Sequence, residues 1–147
     1  MKLSSHLITL CLASLLILQT ACSTPADEVY LQKAEKISNQ LLDAIDNKRY
    51  DEAIKIYSKR FYEHITPEAW KIDLRKFVEK LGHDKSRKIT ASSVTHGFNR
   101  MSAVTTVLVY RVNYENSYSV QKFTFMSNEQ GDEMSLVGHY IDFPEQK

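Results

Sequence analysis

The sequence AVTTVLVYRVNY, at residues 103–114, carries the strongest β-strand pattern in the chain. It consists mostly of β-branched and aromatic residues, which favour the pleated surface of a sheet. Because successive side chains of a strand point to opposite faces, the apolar residues fall into two sets: Val104, Leu108, Tyr110 and Val112 on one face, and Val107 and Val109 on the other. We expect a well-covered central strand, or one whose second face packs on a curled edge of the sheet, lines a pocket or meets a partner.

Three further segments predict strands, and short turns between the last three indicate antiparallel pairing. In chain order, the segments and turns are the weakly alternating residues 88–98, the turn Glu115-Asn116-Ser117, residues 118–126, the turn at residues 128–133 with Gly131, and residues 134–143, which Pro144 ends.

The first half of the chain predicts three helices, in which apolar residues recur at intervals of three and four and so share one face. Thr24 and Thr66 each precede a proline and predict the N-terminal caps of the first and third helices, and Gly82 predicts the end of the third. The three apolar faces are Tyr30, Ala34, Ile37, Leu41, Ala44 and Ile45; then Tyr50, Ala53, Ile54, Tyr57 and Phe61; then Trp70, Leu74, Phe77, Val78 and Leu81.

Helices followed by antiparallel strands indicate an α+β protein. We expect about three helices packed on a curved antiparallel sheet of about four strands. With 4 glycines and 3 prolines, the chain offers no internal linker, and residues 27–147 form a single predicted domain.

The N-terminal residues predict an exported protein. Lys2 precedes an apolar segment, LITLCLASLLIL at residues 7–18, whose length suits a signal peptide. A transmembrane helix needs about 20 residues, so this segment is too short for one. The following Leu18-Gln19-Thr20-Ala21-Cys22 resembles the lipobox that lipoprotein signal peptidase reads, although Gln19 stands where leucine is usual. The alternative is cleavage by the general signal peptidase, for instance after Ser23.

The use of cysteine favours lipid attachment at Cys22. The chain has 2 cysteines, and Cys11 lies inside the predicted signal peptide. A lone exported cysteine is explained if its thiol carries the lipid, and acyl chains such as palmitate would hold the protein on the membrane. We therefore expect residues 1–21 to be removed as a lipoprotein signal peptide and residues 22–26 to form a short lipid-anchored tether.

Ser23, directly after that cysteine, resembles the signal for outer-membrane sorting. The predicted location is the bacterial cell envelope, anchored by lipid in the outer membrane and facing the periplasm.

Composition argues against several classes of function. The 19 basic residues nearly balance the 18 acidic ones, which argues against a nucleic-acid partner. The histidines of the predicted mature chain have no metal-binding spacing and no second cysteine beside them, so we expect neither a metal site nor a cofactor. These histidines are His64, His83, His96 and His139.

Local motifs carry a resemblance to a known family. The chain is similar to a family of short exported bacterial proteins known only as a domain of unknown function, within the cone-shaped nuclear-transport-factor-2-like and cystatin-like group. The resemblance implies the fold and the envelope location and transfers no catalytic residues. Met134 stands where the family commonly has tryptophan. The motifs are Tyr57 to Phe61 leading to Trp70, Leu81-Gly82 followed by Ser86-Arg87, and Gly138-His139-Tyr140-Ile141.

The cone resemblance also defines a candidate pocket of Trp70, Tyr110, His139 and Tyr140. Ketosteroid isomerases of this group use an aspartate base and tyrosine donors inside the cone, but no aspartate stands in the middle of a predicted strand here. Strand alternation sends His139 and Tyr140 to opposite faces. The structural alternative places these four residues in the core. For Arg87, just before the first predicted strand, an ion-pair or capping role is favoured over that of a substrate clamp.

Tyrosines near the second predicted turn suggest a partner surface. Tyr114 and Tyr118 flank a segment with Asn116 and Ser117, a composition typical of binding surfaces. The leading functional hypothesis is a non-catalytic envelope lipoprotein that binds a protein partner or a small apolar ligand. One alternative is a periplasmic immunity protein that neutralises a secreted toxin. The other is a cone-fold enzyme of the isomerase or dehydratase type.

Overall fold

The computed structural model describes residues 24–97, 103–128 and 131–143. The predicted signal peptide and Cys22 lie outside these residues. The elements confirm the predicted α+β class: α1 (Pro25–Asp46), α2 (Tyr50–Ile56), a short 3-10 helix (Phe61–Glu63), α3 (Pro67–Leu81), β1 (Asp84–His96), β2 (Val104–Tyr114), β3 (Tyr118–Ser127) and β4 (Ser135–Asp142).

Helix α1 begins at the predicted cap. The Thr24 hydroxyl accepts a hydrogen bond from the Asp27 backbone N–H, and the Asp27 carboxylate accepts one from the Thr24 N–H. The same carboxylate lies 2.9 Å from Nε2 of His96 at the end of β1. That contact is the main cause of the lowered pKa of Asp27 and ties the start of the chain's described part to the sheet. The helix includes Pro25 and Ala26, which the sequence assigned to the tether.

Helix α2 is shorter than its apolar pattern predicted. It ends at Ile56, Tyr57 takes an extended conformation, and Phe61 belongs to the separate 3-10 helix. The reason is a contact with the sheet, where Tyr57 forms a parallel bridge with Leu136 of β4. The Ser58 N–H donates to the Leu136 carbonyl at 3.0 Å, which a continued helix could not do.

Helix α3 has the predicted ends. The Thr66 hydroxyl accepts from the Ala69 N–H at 3.2 Å, and Gly82 terminates the helix with a positive φ. Its buried face carries Leu74, Phe77, Val78 and Leu81.

The four strands form one antiparallel sheet in the order β1-β2-β3-β4, which leaves β4 at an edge. Alternate residues of β2 and β3 are buried, so the helices cover one face of the sheet. Irregularities in the pairing of β1 with β2 and of β3 with β4 add local bends. The buried inner residues of the two central strands are Val104, Thr106, Leu108, Tyr110, Val112, Tyr114, Ser119, Gln121, Phe123, Phe125 and Ser127.

The outer face of the sheet has no such cover among the described residues. Val107 and Val109, the second apolar set of β2, are half-buried, and the residues that alternate with the buried ones on β3 are half-buried or exposed. Tyr140 of β4 is 63% exposed on this side.

We expect Gly82→Ala to lower the free energy of unfolding by about 1–3 kcal/mol, because φ +79° and ψ −162° lie in a region that only glycine occupies readily. An added Cβ would also lie 2.6 Å from Oε2 of Glu115. Urea denaturation measures the change. A Gly82→Ala/Glu115→Ala double variant removes the 2.6 Å contact with Oε2, leaves the Cβ of residue 115 at 3.0 Å and keeps the backbone strain. Its loss of stability relative to Glu115→Ala alone should therefore be smaller than that of Gly82→Ala relative to the wild type. An unchanged stability of Gly82→Ala would contradict the strain.

Candidate functional site

A chain of polar side chains crosses the buried face between the helices and the sheet. The Tyr57 hydroxyl lies 2.7 Å from Nδ1 of His139, and Nε2 of His139 lies 2.9 Å from Oε1 of Gln121. The Gln121 amide donates to the Tyr114 hydroxyl at 2.7 Å and to the Ser119 hydroxyl at 2.9 Å. Buried polar groups need such partners, and this network supplies them across three strands, β2, β3 and β4, and the segment that follows α2.

The partners of His139 fix its protonation. Since Oε1 of Gln121 can only accept, Nε2 of His139 carries the hydrogen and Nδ1 accepts from the Tyr57 hydroxyl. Burial lowers the pKa of His139 to about 3, and burial raises the pKa of Tyr57 well above its usual value. The pair is therefore a neutral imidazole and a neutral phenol.

Aromatic rings surround this pair. His139 stacks on Phe123 with ring centroids 4.3 Å apart, and Trp70 lies edge-on to His139 at 5.8 Å. Tyr57 packs against Phe61 at 4.3 Å and against Trp70 at 5.9 Å. These rings surround the polar network, which is therefore walled by side chains.

An apolar groove of about 280 Å³ opens beside this cluster, between α3 and β4. We call it the α3–β4 groove. Asp73 is the acidic residue among those that line the groove. Lys80 stands near the other end, with Nζ 4.5 Å from the centre of the Phe143 ring. The lining residues are Trp70, Asp73, Leu74, Phe77, His139, Tyr140, Ile141 and Phe143.

The groove brings together three of the four residues predicted for a pocket: Trp70, His139 and Tyr140. Tyr110 lies elsewhere, 2% exposed in the core, and the Phe123 ring separates it from His139. Burial raises the pKa of Tyr110 to about 12. The expectation that Tyr110 shares a pocket with the other three is corrected: its strand position points it at the middle of the sheet's inner face.

The predicted partner surface also needs correction. Tyr114 is 8% exposed and its ring packs edge-on against Phe77 at 5.5 Å, so it is unavailable to a partner. Tyr114 follows the alternation of β2, which places it on the buried face. Tyr118 remains accessible in part, with the Arg111 guanidinium carbon 3.9 Å from its ring centre.

Arg87 serves the structural role expected of it. Its guanidinium pairs with Asp84 and, at 2.7 Å, with Asp43 of α1, and it donates to the Asn39 carbonyl at 3.4 Å. The group therefore joins the C-terminal half of α1 to β1. Within residues 24–97, 103–128 and 131–143, no three His, Cys, Asp or Glu side chains are grouped as metal ligands would be.

A second cleft, of about 420 Å³, lies between the start of α2 and the end of α3. Two of its charged groups contact the protein itself: Arg75 stands over the Tyr50 ring at 5.5 Å, and Glu115 accepts from the His83 N–H at 3.2 Å. The α3–β4 groove is more apolar and is the better candidate for a binding site.

Sequence reasoning missed Tyr57, Ser119 and Gln121 as parts of one network. A signal was present for two of them, because Ser119 and Gln121 alternate in phase with the buried Phe123 and Phe125. Polar residues on an apolar face indicate partners inside the protein. No local pattern identified Tyr57 as the partner of His139, since 82 residues separate them.

The fold and site define an α+β domain with helices on one sheet face and an apolar groove at the sheet edge. A family model described as "Protein of unknown function (DUF4019)" matches residues 37–139. The chain belongs to the DUF4019 family, as the sequence motifs predicted.

No curated protein matches the chain. A solved structure from Novosphingobium aromaticivorans, of a protein assigned by name as a scytalone dehydratase, is similar with 10% sequence identity. The match covers 84% of this chain and 89% of that one with a TM-score of 0.47. That similarity carries no argument about activity.

None of the helices in the described ranges is both long enough and apolar enough to span a membrane.

We expect His139→Gln to reduce the pH dependence of stability between pH 3 and 6.5. An unfolded histidine titrates near 6.5 and His139 in the fold near 3, so the unfolded state binds one more proton between these values. Because of this residue, the free energy of unfolding of the wild type should fall by up to about 1.4 kcal/mol per pH unit as the pH falls through that window. The variant should lack this component.

Urea unfolding at a series of pH values tests the slope, whatever the absolute stability of the variant. His64→Gln is the matched control, because His64 is exposed. Equal slopes for the wild type and His139→Gln would show that His139 is not held neutral.

Proposed function

We propose that this protein is a lipid-anchored protein of the bacterial cell envelope that binds a protein partner or a small apolar ligand without catalysing a reaction. The observation that carries the binding role is the contrast between the filled interior and the open α3–β4 groove. Phe123 and Phe125 are 0% exposed in the interior, whereas the groove presents partly exposed aromatic and aliphatic groups. Apolar clefts with few polar groups are typical binding sites.

The state of the buried network favours binding over catalysis. A general base needs a free lone pair within reach of the substrate proton. Both ring nitrogens of His139 already have partners, at 2.7 Å and 2.9 Å, and the Tyr57 ring is 5% exposed. The network therefore serves to hold β4 against the helices and to shape the wall of the groove.

The anchoring role is supported by the sequence and by the start of α1. The lipobox-like segment ends at Cys22, and the helix begins at Pro25. An extended chain spans at most about 3.3–3.6 Å per residue. So short a connection therefore holds the start of α1 close to the anchor and the domain near the membrane surface.

We expect Cys22→Ser to abolish incorporation of labelled palmitate into the full-length protein in cells and to release it from the membrane fraction or leave its signal peptide uncleaved. The thiol is the atom to which the lipid would be attached. Cys11→Ser, which changes the other cysteine of the chain, is the control and should keep the label. A wild-type protein that takes up no label would reject the anchor and leave the groove proposal intact.

Photo-crosslinking in cells tests the groove. The benzophenone amino acid p-benzoylphenylalanine is placed at Asp73, which lines the groove, or at the neighbouring Ile72, which is 48% exposed and absent from the lining. We expect a discrete adduct from position 73 and not from position 72. Adding Ile141→Lys, which puts a charge into the groove, should remove the adduct. Adducts of equal yield and identity at both positions would reject the groove as the binding site.

A further inference from the structure

The α3–β4 groove lies along the free edge of a strand. His139 and Tyr140 are adjacent in β4 and point to opposite faces of the sheet, yet both line the groove. A groove that touches both faces at once runs beside the edge of β4, with α3 as its other wall. Its length follows both elements, since Trp70 lies by His139 at one end and Phe77 by Phe143 at the other.

The protein already extends the sheet along this edge by one position. Tyr57 forms a parallel bridge with Leu136, and the Ser58 N–H donates to the Leu136 carbonyl at 3.0 Å. The chain then turns away into the 3-10 helix. From Gly138 to Asp142, no segment of the described ranges continues this pairing, so about five residues, or roughly 16 Å, of strand edge stand open.

The volume and charge of the groove favour one kind of occupant. About 280 Å³ lies below the range of about 300–1,000 Å³ that encloses a drug-sized molecule, so the groove accommodates one or two apolar side chains. Asp73 is at the groove, on the same turn of α3 as Trp70, and Lys80 is by Phe143. An occupant that runs parallel to β4, as Tyr57 does, brings its N-terminal end to the carboxylate and its C-terminal end to the ammonium group.

The geometry points to β-strand addition: an extended peptide segment of a partner protein pairs with the β4 edge at residues 138–142 and inserts apolar side chains between β4 and α3. The inference rests on the proposed binding function and names its partner class. The peptide runs parallel to β4, with a basic residue at its N-terminal end and an acidic one at its C-terminal end. Main-chain hydrogen bonds to an edge strand supply affinity in such complexes, and the pockets beside the edge supply specificity.

The experiment uses the full-length protein in detergent and a displayed library of random nine-residue peptides. Peptides retained by the wild type and not by Ile141→Lys are synthesised without tryptophan. Their binding is followed by the fluorescence of Trp70, the 1 tryptophan of the chain, which lies in the groove. We expect alternating apolar sequences with a basic N-terminal end and an acidic C-terminal end.

Backbone methylation then separates strand addition from simple insertion of side chains. Each selected peptide is made with alternate amides N-methylated, in both possible sets. In an added strand only one set of N–H groups faces β4. We expect methylation of that set to weaken binding at least tenfold and methylation of the other set to change it less than threefold. The Asp73→Lys/Lys80→Glu variant should prefer peptides whose terminal charges are exchanged.

Equal effects of the two methylated sets, or enrichment of no peptide, would overturn strand addition. In the first case the peptides would bind through their side chains alone. In the second, a surviving crosslink from position 73 would keep the proposed binding function, with a small apolar ligand as its target. Loss of both the peptides and the crosslink would reject the inference and the proposed function together.

Discussion

The hydrogen bond between the Tyr57 hydroxyl and His139 joins the helical half of the protein to its last strand. The backbone at Tyr57 pairs with Leu136, and the Tyr57 hydroxyl reaches Nδ1 of His139. Apolar contacts alone would leave these two polar atoms without hydrogen-bond partners. From His139 the network continues through Gln121 to Tyr114 and Ser119, so these polar residues of the inner sheet face depend on it. The wall of the α3–β4 groove, which includes His139, is fixed by the same contact.

Local patterns were sufficient for most of the fold. The Thr24 and Thr66 caps, the Gly82 stop and the alternation of β2 each depend on residues close in sequence, and the structure has all of them. The error in α2 has a tertiary cause. Tyr57 continues the helical apolar spacing, but its backbone pairs with Leu136 at the edge of β4. Periodicity in the sequence does not show such a contact between distant segments.

The candidate site was less predictable, because it depends on contacts between distant segments. Trp70, His139 and Tyr140 line one groove, whereas Tyr110, grouped with them because it lies on a predicted strand, is buried elsewhere in the core. Tyr114 shows the opposite failure: its position in the alternation of β2 indicated burial, and a compositional argument about binding surfaces overrode that signal. Where a strand's phase and a residue's usual role disagree, the phase was the better guide in this protein.

Helix α1 acts as a spacer between the proposed anchor and the groove. Its 22 residues span about 33 Å, and contacts fasten both of its ends to the sheet, Asp27 to His96 at the start and Asp43 to Arg87 near the end. Through the strand register, the end of the groove at Phe143 lies at the same end of the sheet as the second of these contacts, on the opposite edge strand. A lipid before Thr24 would therefore leave the open strand edge at the end of the domain away from the proposed anchor, where a partner could reach it without passing between the domain and the bilayer.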